Sequence, residues 1–179
     1  FALRHPMRCK ALVLCSTTGG RNNAPIPLTF HAMNLLVRIP AFLKMMRKKV
    51  EKDIEGALKK SVSHPDVFSR TLKDKEAMTL FRELTVGMME NMPRRLAGTR
   101  NDIRVTRTRD YPLNRIKVPA LVIHGEDDPH VPFNDHGRRL AKEIPGAILF
   151  IAEKGEHAAI FTHRTEIKIA VTEFLADLP

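Results

Sequence analysis

With 179 residues, 43% of them hydrophobic, and a net charge of +10, the chain can build an apolar core, which excludes a wholly disordered protein. No apolar run approaches the roughly 18–20 residues that cross a bilayer. The chain begins with Phe rather than Met and its first residues lack signal-peptide character, so we expect it to start within a longer protein.

The first predicted strand is Lys10–Ser16, a short apolar run of the kind that is buried on both faces of a parallel sheet. Cys9 and Cys15 bracket this run, and an extended chain would hold them about 20 Å apart, beyond the reach of a disulfide. Two thiols that cannot pair favour a reducing compartment, so we predict a cytoplasmic protein. Gly19 and Gly20 follow without a phosphate-loop context, and we interpret them as a sharp exit from the sheet.

Residues 25–109 show helical periodicity and no convincing strand. Breaks at Pro40, His64-Pro65 and Met92-Pro93 divide this interval, which we predict to be an all-helical insertion between the first two strands. Seven of the eight Met lie in it. Their side chains favour helix–helix packing, and a pliable lining for a substrate pocket is the alternative.

Much of the basic excess lies between Arg38 and Lys60, which suggests nucleic acid as a partner. However, the Arg47–Lys60 stretch also carries three acidic residues and no aromatic side chain on which a base could stack. We interpret it as a solvated helical surface, with a surface facing a polyanion as the alternative. We expect no specific nucleic-acid partner and no membrane span.

The last third of the chain predicts a strand–helix–strand–helix unit with a right-handed crossover. The strands are Ala120–His124 and Ala147–Ala152. The first helix follows Asn134-Asp135 and stops at Pro145-Gly146, and the second has an apolar stripe between Ile167 and Leu175. The predicted fold class is therefore α/β.

An acid and a histidine follow these two strands, in Gly125-Glu-Asp-Asp128-Pro-His-Val-Pro132 and Lys154-Gly-Glu-His157. The carboxyl ends of parallel strands meet at one edge of the sheet, so we expect Asp128 and His157 to lie close together. An Asp and a His are two of the three groups of a nucleophilic triad. Asp127 could take the role of Asp128, and a turn carboxylate and a packed loop histidine remain the structural alternatives.

The two motifs resemble those of the α/β-hydrolase-fold superfamily, of the capped serine-hydrolase type. The resemblance implies that Asp128 is the triad acid and that His157 is the base, with Lys154 standing where the family has Gly. It also implies that residues 1–24 are the helix after the nucleophile elbow and the sixth strand. Residues 25–109 would be the cap, which returns to the core at Thr99–Asp102, and residues 110–179 would hold the last two strands. The expected architecture is thus a partial α/β-hydrolase fold with the last three strands of the sheet.

The family's nucleophile motif, Gly-x-Ser-x-Gly, does not occur in the chain, and neither does the earlier oxyanion-hole loop. Four residues at the end of the first strand could be considered as nucleophiles, but they lack the elbow and the helix N-terminus that would support an oxyanion. These are Cys15, Ser16, Thr17 and Thr18. Several histidines lie near the expected site without a Cys pair or a His-x-x-x-His spacing, so we predict no metal and no cofactor. These are His124, His130, His136 and His163.

We therefore expect the part of a hydrolase that carries the acid, the base and the cap. The expected substrate is a small apolar molecule with an ester, lactone or related acyl bond. Without the nucleophile the chain alone should be inactive, and an Asp nucleophile would imply epoxides or alkyl halides instead. The rival is a non-catalytic hydrolase-like protein that binds a ligand or partner. The first strand should expose one edge, which makes a homo-oligomer possible.

Overall fold

The computed structural model describes residues 1–23, 25–26 and 28–178, which form two compact units. The core unit comprises Phe1–Asn22 and Arg109–Pro179, and the helical unit comprises Asn23–Thr108. Ala24, the predicted last residue of the first core segment, lies outside the described residues.

The core unit contains a parallel three-stranded sheet in the order β1-β2-β3. Its strands are β1 (Leu12–Cys15), β2 (Ala120–Gly125) and β3 (Ile148–Ala152). Leu12 lies opposite Ala120, and Leu121 lies opposite Ile148. The α/β class and all three predicted strands are therefore confirmed, because each short apolar run forms the strand expected of it.

Burial differs between the central strand and the outer ones. Every residue of β2 is buried, whereas Val13 of β1 and Ile148 of β3 are 43% and 52% exposed. The prediction of strands buried on both faces is right for β2 and wrong for the outer strands. Each outer strand has one strand neighbour within the described sheet, and β1 is an edge strand as expected.

Helices cover both faces of β2 because its side chains alternate in direction. The α-helices of the core unit are α6 (Gly137–Glu143), α7 (Ala159–Thr162) and α8 (Arg164–Ala176), and two short 3₁₀ helices lie at Pro6–Arg8 and Leu113–Arg115. Ala120 and Val122 pack with Leu140 and Ile144 of the α6 segment. The other face packs against α8, through the cluster of Leu121, Ile123, Ile167 and Phe174. The strand end that carries the predicted acid is thus packed between two apolar clusters, one on each face of β2.

Two helical details of the core unit differ from the prediction. Helix α6 begins at Gly137 rather than after Asn134-Asp135, because the N–H groups of Asp135 and His136 donate to the carbonyl of Pro132 in a preceding turn. Helix α8 forms as predicted and buries Ile167, but Leu175 on the expected apolar stripe is half exposed.

The described residues of the helical unit form five helices and no strand. They are α1 (Leu28–Leu36), α2 (Pro40–Lys52), α3 (Ile54–Lys59), α4 (Pro65–Lys73) and α5 (Lys75–Thr108). Helices α2 and α4 begin at their prolines, where the missing N–H has no cost.

The predicted break at Met92-Pro93 is wrong, because α5 continues through Pro93. Proline has a φ that suits a helix, but it costs the helix one hydrogen bond and some steric strain. The hydrogen-bonded helical turns on both sides of Pro93 offset this cost. Thr99–Asp102 accordingly lies inside α5.

Arg47, from the basic stretch, pairs with Glu51 and Glu90 at 2.8 and 2.6 Å, so part of the excess charge is neutralised within this unit. Among the described residues, no helix is long and apolar enough to cross a membrane.

Candidate active site

The loop after β2 holds the Asp128 carboxylate through its own backbone. Asp128 is 4% exposed, and its Oδ1 accepts hydrogen bonds from the N–H groups of His130 and Val131, both at 2.9 Å. A short acidic side chain that bonds the backbone two and three residues ahead stabilises a tight turn. These two donors fix the orientation of the carboxylate and leave Oδ2 for another partner.

The loop after β3 brings His157 to this carboxylate through an unusual backbone conformation. Lys154 has φ +54°, in the left-handed region that favours glycine. The resemblance implies Gly at this position, and Lys154 adopts the same kind of backbone at a conformational cost. The N–H of Lys154 donates to the Glu126 carboxylate at 3.2 Å, which ties this turn to the acid loop.

The two loops also touch directly, backbone to backbone. The N–H of Asp127 donates to the carbonyl of Gly155 at 2.9 Å. A Cβ added at Gly125 would lie 2.5 Å from the carbonyl oxygens of both Gly155 and Glu156. Only glycine fits at position 125 without moving one loop, so the Gly of the Gly-x-x-Asp motif sets the distance between the acid loop and the histidine loop.

At the meeting point, His157 Nδ1 lies 2.8 Å from Asp128 Oδ2. An ionised carboxylate can only accept, so Nδ1 carries the hydrogen and donates it. In the neutral ring Nε2 then holds a lone pair. The His157 side chain is 49% exposed, so the structure joins a buried acid to an accessible imidazole whose basic nitrogen is defined.

The pKa values of the two groups shift in opposite directions. Burial acts to raise the pKa of Asp128, but the hydrogen bonds from His157 and Val131 and the charge of His157 outweigh it and lower that pKa below its ordinary value. The hydrogen bond to Asp128 raises the pKa of His157, and burial opposes this. Each partner thus stabilises the charged form of the other.

The structure also distinguishes between the alternative candidates for the acid and bears on Cys15 as a nucleophile. The side chain of Asp127 is exposed, and it is Asp128 that bonds His157. At the end of β1, burial raises the pKa of the Cys15 thiol, the adjacent Ser16 side chain opposes this, and the Asp128 charge adds to it. A raised thiol pKa disfavours the thiolate that a cysteine nucleophile needs. Cys9 and Cys15 are both free thiols, as predicted.

Each neighbouring histidine has a contact within the core unit. His136 Nδ1 accepts from the N–H of Gly19 at 3.3 Å, His163 Nε2 donates to the carbonyl of Glu153 at 3.0 Å, and the His130 ring lies edge-on to that of His157. Across the described ranges, no three metal-ligating side chains form a candidate metal site. The sequence predicted no role for His124. Its position directly before Gly125, at the end of the buried strand β2, is the signal that could have singled it out.

Known proteins share this arrangement of strands, loops and helices. The family model of the alpha/beta hydrolase fold matches residues 1–164. A 2-hydroxy-6-oxononadienedioate/2-hydroxy-6-oxononatrienedioate hydrolase from Burkholderia vietnamiensis is 29% identical over 98% of this chain and 57% of its own length.

Solved structures agree with the sequence match. An alpha/beta hydrolase fold protein from Nakamurella multipartita superposes with a TM-score of 0.74 and 25% identity, over 97% of this chain and 63% of that one. The enol-lactonase from Burkholderia xenovorans shares the fold at a TM-score of 0.63 and 20% identity, over 98% of this chain and 60% of that one. The chain thus spans about three-fifths of the length of these relatives. With the family model matching most of its length, the chain belongs to the α/β-hydrolase fold family.

Proposed function

We propose that Asp128 and His157 are the acid and base of a serine hydrolase that cleaves ester, lactone or related acyl bonds. The observation that carries the proposal is the 2.8 Å bond from His157 Nδ1 to Asp128 Oδ2, which leaves the basic Nε2 on an accessible ring. An imidazole held in this way can take a proton from a hydroxyl and return it to a leaving group.

In the proposed reaction, His157 Nε2 accepts the hydroxyl proton of the nucleophile as its oxygen attacks the substrate carbonyl. The same proton then passes to the leaving oxygen, and the acyl group stays on the nucleophile. A water molecule repeats the sequence and releases the acid. Asp128 stays ionised throughout and stabilises the imidazolium, a role supported by its lowered pKa.

The nucleophile belongs, in this proposal, to the two-fifths of the relatives' length that the chain does not span. The helical unit would be the cap of such an enzyme, with the predicted bounds of 25–109. Its Met residues would serve either in packing between helices or in a pliable lining for the substrate.

For the substrate class, we propose a small, largely apolar molecule with a polarised carbonyl. Two relatives that match nearly the whole chain, from Burkholderia vietnamiensis and Paraburkholderia phymatum, are named as hydrolases of oxo-dienedioates. This adds oxo acids to the esters and lactones that a screen should contain. The cytoplasmic location stays a prediction from the two free thiols.

A chimera tests the proposal. The part of the Nakamurella multipartita protein that this chain matches would be replaced by this chain, so that the remaining part of that protein completes the fold. We expect the chimera to hydrolyse p-nitrophenyl esters or a lactone, and the chain alone to be inactive. The variant His157→Gln should lose at least about 10³-fold in kcat, as loss of a triad base does, whereas the neighbouring variant His130→Gln should retain most of the rate.

A folded chimera whose rate does not change with His157→Gln would contradict the proposal. The rival function, a non-catalytic binding protein of hydrolase fold, would then be favoured. Saturable binding of an ester or oxo acid to the chain alone, without turnover in any form, would support that rival.

A further inference from the structure

His124, the next-to-last residue of β2, lies directly behind the acid loop. Its side chain is fully buried, at 0% exposure. A histidine at the end of a central strand is costly to bury unless its ring nitrogens find partners. Its Nε2 has one, a backbone group of the loop that carries Asp128, whereas its Nδ1 has none among the described residues.

The His124 ring closes this loop with one hydrogen bond. Its Nε2 lies 2.8 Å from the carbonyl oxygen of Val131, which can only accept, so Nε2 carries the hydrogen. The N–H of the same residue, Val131, donates to Asp128 Oδ1. Asp128 therefore fixes the peptide unit before the Val131 Cα, and His124 fixes the peptide unit after it.

The same nitrogen also lies close to the carboxylate itself. His124 Nε2 is 3.8 Å from Asp128 Oδ2, the oxygen that accepts from His157. This distance is too long for a hydrogen bond, but it places the positive end of the N–H dipole beside a buried negative charge. The ring thus acts on the acid in two ways, through its hydrogen bond to Val131 of the acid loop and through its electrostatic attraction to the Asp128 carboxylate.

Packing fixes the ring in this position. A Cβ added at Gly137, the first residue of α6, would lie 2.6 Å from Cγ of the His124 ring. Phe133 flanks the ring at a centroid distance of 5.9 Å. The ring is held between a helix start and an aromatic side chain, so its Nε2 has little freedom to turn away from Val131.

We propose that His124 is a positioning residue, which holds the acid loop so that Asp128 Oδ2 meets His157 Nδ1. Its importance for catalysis rests on the function proposed above, but the positioning itself does not. His124 touches no reacting atom in this proposal and acts through Val131 and Asp128.

The test compares two amides that differ in reach. In His124→Gln the side-chain nitrogen can occupy the place of Nε2 and donate to Val131, whereas in His124→Asn it stops at the depth of Nδ1. Long-range ¹H–¹⁵N correlation spectra of histidine-labelled chain report the tautomer and the titration of His157. We expect His124→Gln to keep the Nδ1–H tautomer and the raised pKa of His157. In His124→Asn and His124→Leu we expect the tautomer to become mixed and that pKa to fall.

A matched control is His136→Leu, which removes an equally buried imidazole whose bond goes to Gly19 instead of the acid loop. It should lower stability without changing the His157 tautomer. If His124→Leu does not fold, Gly137→Ala provides a second perturbation, because its methyl group would push the His124 ring and should mix the tautomer too.

An unchanged His157 tautomer and titration in folded His124→Asn, or the same loss in His124→Gln as in His124→Asn, would overturn the positioning role. The chimera separates this result from the proposed function. Inactivity with a wild-type His157 tautomer contradicts the function alone, and activity that is indifferent to His124→Asn contradicts the positioning alone.

Discussion

Replacement of Asp128 by Asn should uncouple the acid from His157 while keeping the acid loop in place. The Asn oxygen can still accept from the N–H groups of His130 and Val131, which bond Oδ1 in the native chain. Its amide group, however, would face the Nδ1–H of His157 with a second donor. The ring must then change tautomer or turn away, so Nε2 no longer presents a lone pair in the same place.

The magnitude follows from the bond that is lost. A hydrogen bond to a charged group contributes about 1.5–3 kcal/mol to the free energy of unfolding. His157 is half exposed, so solvent screening reduces this, and we expect a loss of about 1–2 kcal/mol. Asp128→Ala should cost about 1–3 kcal/mol more, because it also leaves the N–H of buried Val131 without its acceptor.

The loss should depend on pH in a defined direction. The lowered pKa of Asp128 stabilises the fold above its unfolded pKa of about 3.9, and this is lost as pH falls through the folded value. The raised pKa of His157 stabilises the fold below its unfolded pKa of about 6.5, and this is lost as pH rises through the folded value. Both contributions are present together between about pH 4 and 6.5.

Urea unfolding followed by far-UV circular dichroism at pH 5.5 and pH 9 measures both effects. We expect Asp128→Asn to be destabilised at pH 5.5 and less so at pH 9, where the His157 charge is lost. Asp127→Asn is the matched control, since that side chain is exposed, and it should change stability by about 0.5 kcal/mol or less. Equal losses at the two pH values, or an Asp127→Asn loss as large as that of Asp128→Asn, would refute the assigned pair.

Three further predictions concern the fold around the site. Lys154→Gly should stabilise the chain by about 0.5–1 kcal/mol in urea unfolding, because relief of a left-handed conformation outweighs the entropy that glycine adds to the unfolded chain; Lys154→Ala, which keeps the Cβ, should give no gain. Gly125→Ala should lower the thermal midpoint and mix the His157 tautomer, since its methyl group overlaps two carbonyls of the histidine loop; an unchanged tautomer would contradict the contact between the loops. Leu121 of β2 is 1% exposed and packs against α8, so Leu121→Ala should lower the free energy of unfolding by about 2–5 kcal/mol. A loss below about 1 kcal/mol would argue against that core cluster.

Local patterns were enough to predict the secondary structure that supports the site. The strand of Ala120–His124 is an unbroken apolar run after a proline, and any sheet that buries it places the next polar residues at one edge. Periodicity from Ile167 onward predicted α8 in the same way. Pro93 was misread because the cost of a proline inside a helix is local, whereas the packing and hydrogen bonds of a 34-residue helix outweigh it.

By itself, the sequence determined which residue types reach the edge of the sheet: an acid after β2 and a histidine after β3. Only the tertiary structure decided that Asp128 rather than Asp127 bonds His157, because the choice depends on the turn that Val131 and His130 close around one carboxylate. It also decided the close approach of Gly125 to the histidine loop and the place of His124 behind the acid. The bond between Asp128 and His157 joins residues 29 apart in the chain, and that between His124 and Val131 joins residues seven apart. Side-chain direction in such loops is set by packing rather than by local propensity.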